Sequence, residues 1–509
     1  MGKASKFGGS LTAMLVLALV YLNWEHLNEK FQLTVATRSL ADLHGTKSIT
    51  LYKNGYSTGG VQMQLSADLL HAKSGRELAE HLSQFIEVET IKTTDSVPVT
   101  ALADRVFNGN GKLLDSYADI RTGDRLYLVA EGLHFVFPFV KLGHRVYVEP
   151  QDNPTGKPVI IESLSEVPRT FHLHNFFSYE EADRLIERIL EIDDETNKLQ
   201  QSAVGHLNGK KLKSPHRTSE NAFDQVSDAA IRIRKRVFDV LSLGEYHPDM
   251  CDGLQLLRYK QKQAYIAHTD YFEKHTTQDW NWDPSEGGSN RFATVFLYLS
   301  NVTRGGQTVF PLADMPEGLP ASYDHPADVS DYQARGAELF EPESWEADMV
   351  NKCSTKLAAY PRKAHAVLFY SQKPNGELDP MSLHGGCPVL DGTKWGANLW
   401  VWNKRRFGLD DDGTTSRQFT VIFQNPSDRE VDLYWSSTKM TSIPPHGKTL
   451  YTTFKEHKWT IKHGDRVLLE FMGSPEDGDS QTVFVPLENE EPVLLPPEAE
   501  TPTETKDEL

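Results

Sequence analysis

From residue 48 to about 148, apolar and polar positions alternate in short runs, at 49–52, 125–129 and 145–148. Side chains two apart on a strand share a face, so these runs predict half-buried strands. The segment near 77–85 has helical spacing instead, and Asn108-Gly109-Asn110-Gly111 predicts a hairpin turn. Residues 46–150 therefore read as one small α+β domain. Further on, Ser178-x-x-Glu181 is a capping-box pattern ahead of a helical run at 182–190. A second amphipathic helix, 227–241, has a basic face (Arg232, Arg234, Lys235, Arg236) that is expected to be solvated.

After Gly253 the period shortens again. Strands are predicted at 254–259, 292–299, 366–370 and 395–402, separated by glycine-rich turns. Many strands without intervening helices predict an antiparallel sandwich or jelly roll over 165–404. Residues 405–416 read as a linker. Short strands at 419–423, 431–435, 448–454, 467–471 and 482–485 then predict a smaller β-sandwich over 417–487. The tail 488–509 is acidic and proline-rich, a composition without the apolar surface to build a core.

The chain has 509 residues, enough for two to four domains. Its 39% hydrophobic and 24% charged content excludes a collagen-like or fibrous protein. The net charge of −18 argues against a nucleic-acid partner. That charge is localised: residues 314–350 carry ten acidic and one basic side chain, and 476–508 carry eleven and one. The first marks an acidic insertion, read as a solvated loop, and the second the tail.

At the N-terminus, Lys3 and Lys6 precede an uncharged run, 7–24, with an apolar heart at 11–22. Residues 1–45 read as a signal peptide or an uncleaved signal anchor, followed by a polar stem. The last residues, Lys506-Asp507-Glu508-Leu509, match the retrieval address read by the endoplasmic-reticulum receptor. Together they predict a chain in the lumen, or on the membrane with its main body lumenal. That compartment permits disulfides, and the three cysteines (Cys251, Cys353, Cys387) allow one internal bridge. One sequon, Asn301-Val302-Thr303, is an acceptor pattern for a glycan.

Non-haem iron(II) oxygenases hold the metal with two histidines and one carboxylate, leaving positions open for substrate and oxygen. His-x-Asp supplies two of these, and with 19 histidines about one match arises by chance. Three occur: His247-Pro-Asp249, His268-Thr-Asp270 and His463-Gly-Asp465. Proline makes the first a turn at a helix exit, and glycine makes the third a hairpin turn. Only His268 and Asp270 follow a strand inside an aromatic stretch. The third ligand is read as His384, in Ser382-Leu-His-Gly-Gly-Cys387. Ten residues on, Lys394 begins a strand that returns to the same cavity. 2-Oxoglutarate that chelates iron through its C1 carboxylate and C2 ketone leaves its C5 carboxylate deep in the barrel, where burial demands a counter-ion.

With these residues in place, residues 165–404 resemble the catalytic domain of prolyl 4-hydroxylases. The blocks that carry the resemblance include Pro168-Arg-Thr-Phe, Arg217-Thr-Ser219, Leu254-Gln-Leu-Leu-Arg-Tyr259, Tyr265-Ile-Ala-His268-Thr-Asp270, Gly305-Gly-Gln-Thr-Val-Phe-Pro311 and Leu383-His384-Gly-Gly-Cys-Pro-Val389. The resemblance implies a double-stranded β-helix core, Fe(2+) on His268, Asp270 and His384, and Lys394 on the cosubstrate carboxylate. It implies Tyr259 and Thr308 as further cosubstrate partners and Tyr265, Arg291 and Trp400 in a peptide groove. It also implies ascorbate as a cofactor and a Cys353–Cys387 disulfide, with Cys251 left free. Three departures stand out: the long acidic insertion of about 314–350, Trp402-Asn403 after Trp400, and Ala364-His365 where the family usually has Gly-Asp.

Two weaker resemblances flank this one. Residues 46–150 are similar to β-grasp modules of ubiquitin-like or doublecortin-like type. Residues 417–487 resemble the β domain of the von Hippel–Lindau protein, through Phe419-Thr-Val-Ile-Phe-Gln-Asn425, Val431-Asp-Leu-Tyr-Trp435 and Thr453-Phe-x-x-His457-Lys-Trp459. That resemblance implies a hydroxyproline pocket at Trp435, Thr453, His457 and Trp459; the plainer reading makes the two tryptophans core residues of a passive module. The function implied is a procollagen-type prolyl 4-hydroxylase acting on proline-containing secretory polypeptides. The rivals are the same chemistry on lysine or a small molecule, and a catalytically inactive binding protein.

Overall fold

The computed structural model describes residues 45–66, 74–91, 101–193, 197–207, 210–213, 215–274, 281–318, 329–406, 419–435, 438–453, 457–473, 477–478, 480–487 and 492–493. The N-terminal segment 1–44 and the retrieval tetrapeptide lie outside them. Among the described residues no helix is long and apolar enough to cross a membrane.

The chain divides into two compact units, one of residues up to 89 with 100–131, and one holding the remainder. In the first, Lys47–Lys53 pairs in parallel with Arg125–Ala130 at the centre of a four-stranded sheet. Val61–Leu65 and Ala103–Asn108 flank them antiparallel. Alternation along Lys47–Lys53 buries Ile49 and Leu51 on one face, and the helix Gly75–Leu82 buries Leu78, Ala79 and Leu82. Ser74 caps that helix through the Glu77 N–H. The Asn108 turn closes as read, with Gly111 N–H donating to Asn108 O. One boundary differs: Arg145–Val148, assigned above to this domain, pairs with Val159–Ser165 in the second unit. A lone alternating run says that a strand forms but not which sheet receives it.

The second unit is built on a nine-stranded sheet in the order Arg145–Val148, Val159–Ser165, Thr170–His174, His365–Tyr370, Arg291–Tyr298, Lys394–Trp402, Leu254–Tyr259, Glu220–Asp224, Gln200–Gln201. A four-stranded sheet accompanies it: Tyr265–His268, His384–Gly386, Thr308–Asp314, Lys356–Ala359. This is the mainly-β jelly roll expected. Its central strand, Arg291–Tyr298, is buried from Phe292 onward, so its sequence is nearly continuously apolar rather than alternating.

Two helices pack near the sheet edge. Tyr179–Glu191 opens with the expected capping box, Ser178 and Glu181 each bonding the other's backbone N–H at 3.1 Å. Asp228–Leu241 corrects the reading of its basic face. Arg234 and Arg236 are buried; Arg236 forks onto the Glu181 carboxylate with two bonds of 2.9 Å. A buried guanidinium needs such a partner, and the capping glutamate supplies it. The acidic insertion is also more ordered than a solvated loop. Its described part holds the helices Val329–Leu339 and Trp345–Thr355, which bury Met349, Val350 and Cys353 against Val309 and Leu390. Residues 319–328 lie outside the description.

The C-terminal part forms two sheets. Lys448–Thr453, Phe419–Gln424 and Ser480–Phe484 make one; Thr438–Ile443, Val431–Trp435, Trp459–His463 and Arg466–Phe471 make the other. The strands at 438–443 and 459–463 were not anticipated. The core between the sheets holds Phe419, Val421, Phe423, Leu433, Ile443, Trp459 and Ile461.

Candidate metal centre

His268 ends one strand of the four-stranded sheet and His384 begins its antiparallel neighbour, and register sets them directly opposite each other. Their rings lie 4.5 Å apart. Asp270 sits two residues past the strand end, in the loop rather than on the strand. One of its carboxylate oxygens is 3.6 Å from His268 Nε2 and the other 3.5 Å from His384 Nε2. The three donor atoms lie within 4.8 Å of one another, the one such cluster among the described residues.

Tautomers follow from the backbone. His268 Nδ1 faces Ile266 O at 2.9 Å and His384 Nδ1 faces Ser382 O at 3.0 Å. A carbonyl only accepts, so each Nδ1 carries the proton and each Nε2 lone pair is left for a metal. Asp270 is fixed from behind: Thr294 Oγ1 donates to Oδ2 at 2.7 Å, and Arg291 Nη1 donates to its backbone carbonyl at 3.0 Å. Burial opposes the charge on Asp270, but the positive charge that His384 and His268 carry when protonated, with Arg291 beside them, outweighs it and holds the carboxyl well below the usual carboxylate range. Burial pushes His384 down to about 4, so near neutral pH it is the unprotonated ligand form.

Lys394 opens the strand Lys394–Trp402 opposite Tyr259 and is 1% exposed. Its ammonium lies 4.5 Å from the Phe296 ring centre, 5.2 Å from Tyr259 and 5.5 Å from Tyr298. Among the described residues no carboxylate pairs with it. Burial alone lowers its pKa to about 7. Gly306, at φ +75°, leaves room for the lysine stem, since a Cβ there would stand 3.2 Å from Lys394 Cδ. A buried cation without an internal anion fits an anionic cosubstrate, and two aimed imidazole nitrogens beside a carboxylate fit a divalent iron.

The other expected residues are placed less simply. Tyr259 is buried beside Lys394, but the Thr308 hydroxyl is bonded to Tyr298 Oη at 2.8 Å, and Tyr298 also donates to Ala359 O. Tyr265 stacks on His268 at 3.7 Å. Arg291 is held by Asp252 at 2.8 and 3.0 Å and lies 3.8 Å over the Trp400 ring, so its charge is used within the protein. Cys353 and Cys387 are bridged, and Cys251 is free and buried. Thr294 and Phe296 were missed as site residues. Their signal was the period: 294, 296 and 298 share one face of a strand, and the two ends of that face meet Asp270 and Lys394.

In the C-terminal sandwich, Trp459 Nε1 donates to Thr453 Oγ1 at 2.8 Å, which bonds His457 Nδ1 at 3.1 Å. Trp435 packs against His457 at 4.9 Å. The four residues come together, with Thr453 and Trp459 buried in the core and Trp435 41% exposed.

Residues 254–402 match the 2OG-Fe(II) oxygenase superfamily. Probable prolyl 4-hydroxylase 3 of Arabidopsis thaliana is 35% identical over 243 residues, 47% of this chain and 71% of that protein. Prolyl 4-hydroxylase 2 of the same plant is 35% identical over 247 residues, 48% of this chain and 70% of its own length. Among solved structures, the viral collagen prolyl hydroxylase of Paramecium Bursaria Chlorella virus-1 with 2OG is 19% identical, with a TM-score of 0.28, covering 46% of this chain and 95% of that one. The relatives' identity over more than two thirds of their length, joined to the His-Asp-His cluster and the buried lysine, establishes that the chain belongs to the prolyl 4-hydroxylase family of 2OG-Fe(II) oxygenases.

Proposed function

We propose that the protein is a procollagen-type prolyl 4-hydroxylase of the endoplasmic reticulum, hydroxylating prolyl residues of secretory polypeptides with O2 and 2-oxoglutarate and releasing succinate and CO2. The observation that carries this is Lys394, a buried ammonium without a counter-ion among the described residues, in the same barrel as the ligand cluster. When bound, iron and 2-oxoglutarate would supply the oxidising chemistry, with ascorbate as the reductant cofactor. The chain's own residues do the rest. His268, Asp270 and His384 hold the metal, Thr294 orients Asp270, and Lys394 fixes the cosubstrate's far carboxylate. The aromatic walls of Phe296, Tyr259 and Tyr298 exclude water from that ion pair. Tyr265, stacked on His268, and the buried Trp400, beneath Arg291, are the residues assigned to the peptide groove. The retrieval tetrapeptide supports a lumenal location, and the Cys353–Cys387 bridge suits an oxidising compartment.

The test is a panel of proline-rich peptides assayed for succinate, with product masses localised by fragmentation. The expected product carries one oxygen on proline, and His384→Ala reduces succinate release to background while the fold is retained. Oxygen on lysine, or turnover only of small molecules, would overturn the prolyl assignment.

A second reading concerns the C-terminal sandwich, where exposed Trp435 beside His457 supports a reader of the hydroxylated product. In the full chain, hydroxylated peptide should bind more tightly than unhydroxylated peptide, and Trp435→Ala should abolish that difference.

A further inference from the structure

We propose that Asn301 is an N-glycosylation site whose glycan projects from the end of the barrel remote from the metal ligands. The chain has three stretches in which asparagine precedes serine or threonine by two residues: Asn153-Pro-Thr155, Asn301-Val-Thr303 and Asn425-Pro-Ser427. Proline at the middle position disqualifies the first and third as acceptors. The structure separates them in the same way. Asn153 Nδ2 donates to Lys157 O at 2.7 Å, and Asn425 Nδ2 donates to Arg429 O at 2.7 Å from a fully buried side chain. Asn301 accepts through Oδ1 from the Lys363 N–H at 2.9 Å, and among the described residues its Nδ2 has no acceptor. The nitrogen that must become covalently bound is therefore the unengaged one.

Packing explains why the sequon faces outward. Val302 is half-buried and rests on the barrel cluster of Leu257, Tyr259, Phe296 and Tyr298. With the middle residue anchored inward, Asn301 and Thr303 on either side of it are exposed. The segment joins the strand Arg291–Tyr298 to Arg304–Gly305. On that strand Thr294 bonds Asp270, and Tyr298, beside Lys394, is four residues or roughly 13 Å further along. Asn301 continues past Tyr298, away from Asp270.

The transfer forms a bond between Asn301 Nδ2 and the anomeric carbon of an oligosaccharide. The bond from that carbon to the pyrophosphate of a lipid-linked donor breaks, the lipid pyrophosphate leaves, and the amide loses one proton. The proposal rests on the lumenal location given above, so its test reads location separately.

The full chain is translated with microsomes, and protease protection is scored beside glycosidase-sensitive mobility. Cleavage by peptide-N-glycosidase in heavy-oxygen water, followed by mass spectrometry, then identifies the modified asparagine. The expected result is a protected chain carrying one glycan at Asn301, lost in both Asn301→Gln and Thr303→Ala, each of which keeps wild-type succinate release. A protected chain with unmodified Asn301, or a glycan that survives Asn301→Gln, overturns the site alone. A chain left open to protease overturns the lumenal location and the glycan with it.

Discussion

The jelly roll and the C-terminal sandwich each bury a small polar group among aromatic rings, and they treat it in opposite ways. In the sandwich, Trp459 N–H donates to Thr453 Oγ1, which in turn bonds His457 Nδ1, so the buried indole N–H and the hydroxyl both have protein partners. In the barrel, Lys394 lies among aromatic rings with no carboxylate partner among the described residues, and the two histidine Nε2 lone pairs face a carboxylate across 3.5 and 3.6 Å. Burying an unpaired cation is costly, so its retention implies a partner that arrives from outside. A satisfied group implies nothing of the kind. The difference teaches that aromatic composition alone does not distinguish a ligand site from a core; the state of the polar groups does.

The strongest way to break this comparison is Lys394→Met. If the ammonium exists to meet the cosubstrate, KM for 2-oxoglutarate rises roughly ten- to a hundredfold, the worth of about 1.5–3 kcal/mol for a hydrogen bond to a charged group. Iron binding is unchanged, and the melting temperature of the cofactor-free protein rises because an unpaired charge has left the core. A fall in melting temperature would mean that the lysine has an internal role.

Thr294→Val comes next. It removes the 2.7 Å bond to Asp270 at constant shape, and iron affinity falls about 10- to 100-fold, the usual range for a residue that orients a ligand. Metal titration checks it, and an unchanged affinity would show that Asp270 needs no such support.

A pH series sharpens the same point. The Lys394 pKa falls on folding from 10.5 to about 7, so between those values the unfolded chain binds more protons and stability of the cofactor-free protein rises with pH. Cosubstrate binding runs the other way, because only the ammonium pairs with a carboxylate. Affinity for 2-oxoglutarate is greatest below about pH 7 and weakens by up to about tenfold per unit above it. Anaerobic calorimetry over that range checks the slope, and a flat profile would sever the lysine from the cosubstrate.

The smallest effect is expected in the sandwich. Trp435→Ala removes an exposed ring, changes stability by about 0.5 kcal/mol or less and leaves turnover of short peptides intact. Trp459→Ala, which empties a core position, costs about 3–5 kcal/mol by denaturant titration. Equal costs would show that the two tryptophans share one role.

Much of the site was legible in the chain. His268 and Asp270 were separable from the two other His-x-Asp pairs because proline and glycine mark those as turns, and Pro248–Met250 and the hairpin at Gly464 are turns in the structure. Lys394 was legible because a turn at Gly392 returns the next strand to the same cavity. Arg234 and Arg236 were misread because helical spacing reports a face but not what covers it: Arg236 meets the Glu181 carboxylate of another helix, and Arg234 meets the backbone carbonyls of Pro248 and Cys251. The insertion at 314–350 was misread because its acidic composition masks the apolar residues, Met349, Val350 and Cys353, that seat its second helix.

What the sequence determined by itself is direction along each element: which residues share a strand face, where a turn must fall, and which side chains can serve as ligands. Those are properties of two or three neighbouring dihedrals and survive any global arrangement. Only the tertiary structure decided partners. That Thr294 meets Asp270, that Glu181 neutralises Arg236 and that nothing described neutralises Lys394 all depend on register between segments tens to hundreds of residues apart. The hydrophobic pattern and the turns constrain which face of a strand is buried, but which distant segment lies beside it is decided only when whole sheets pack.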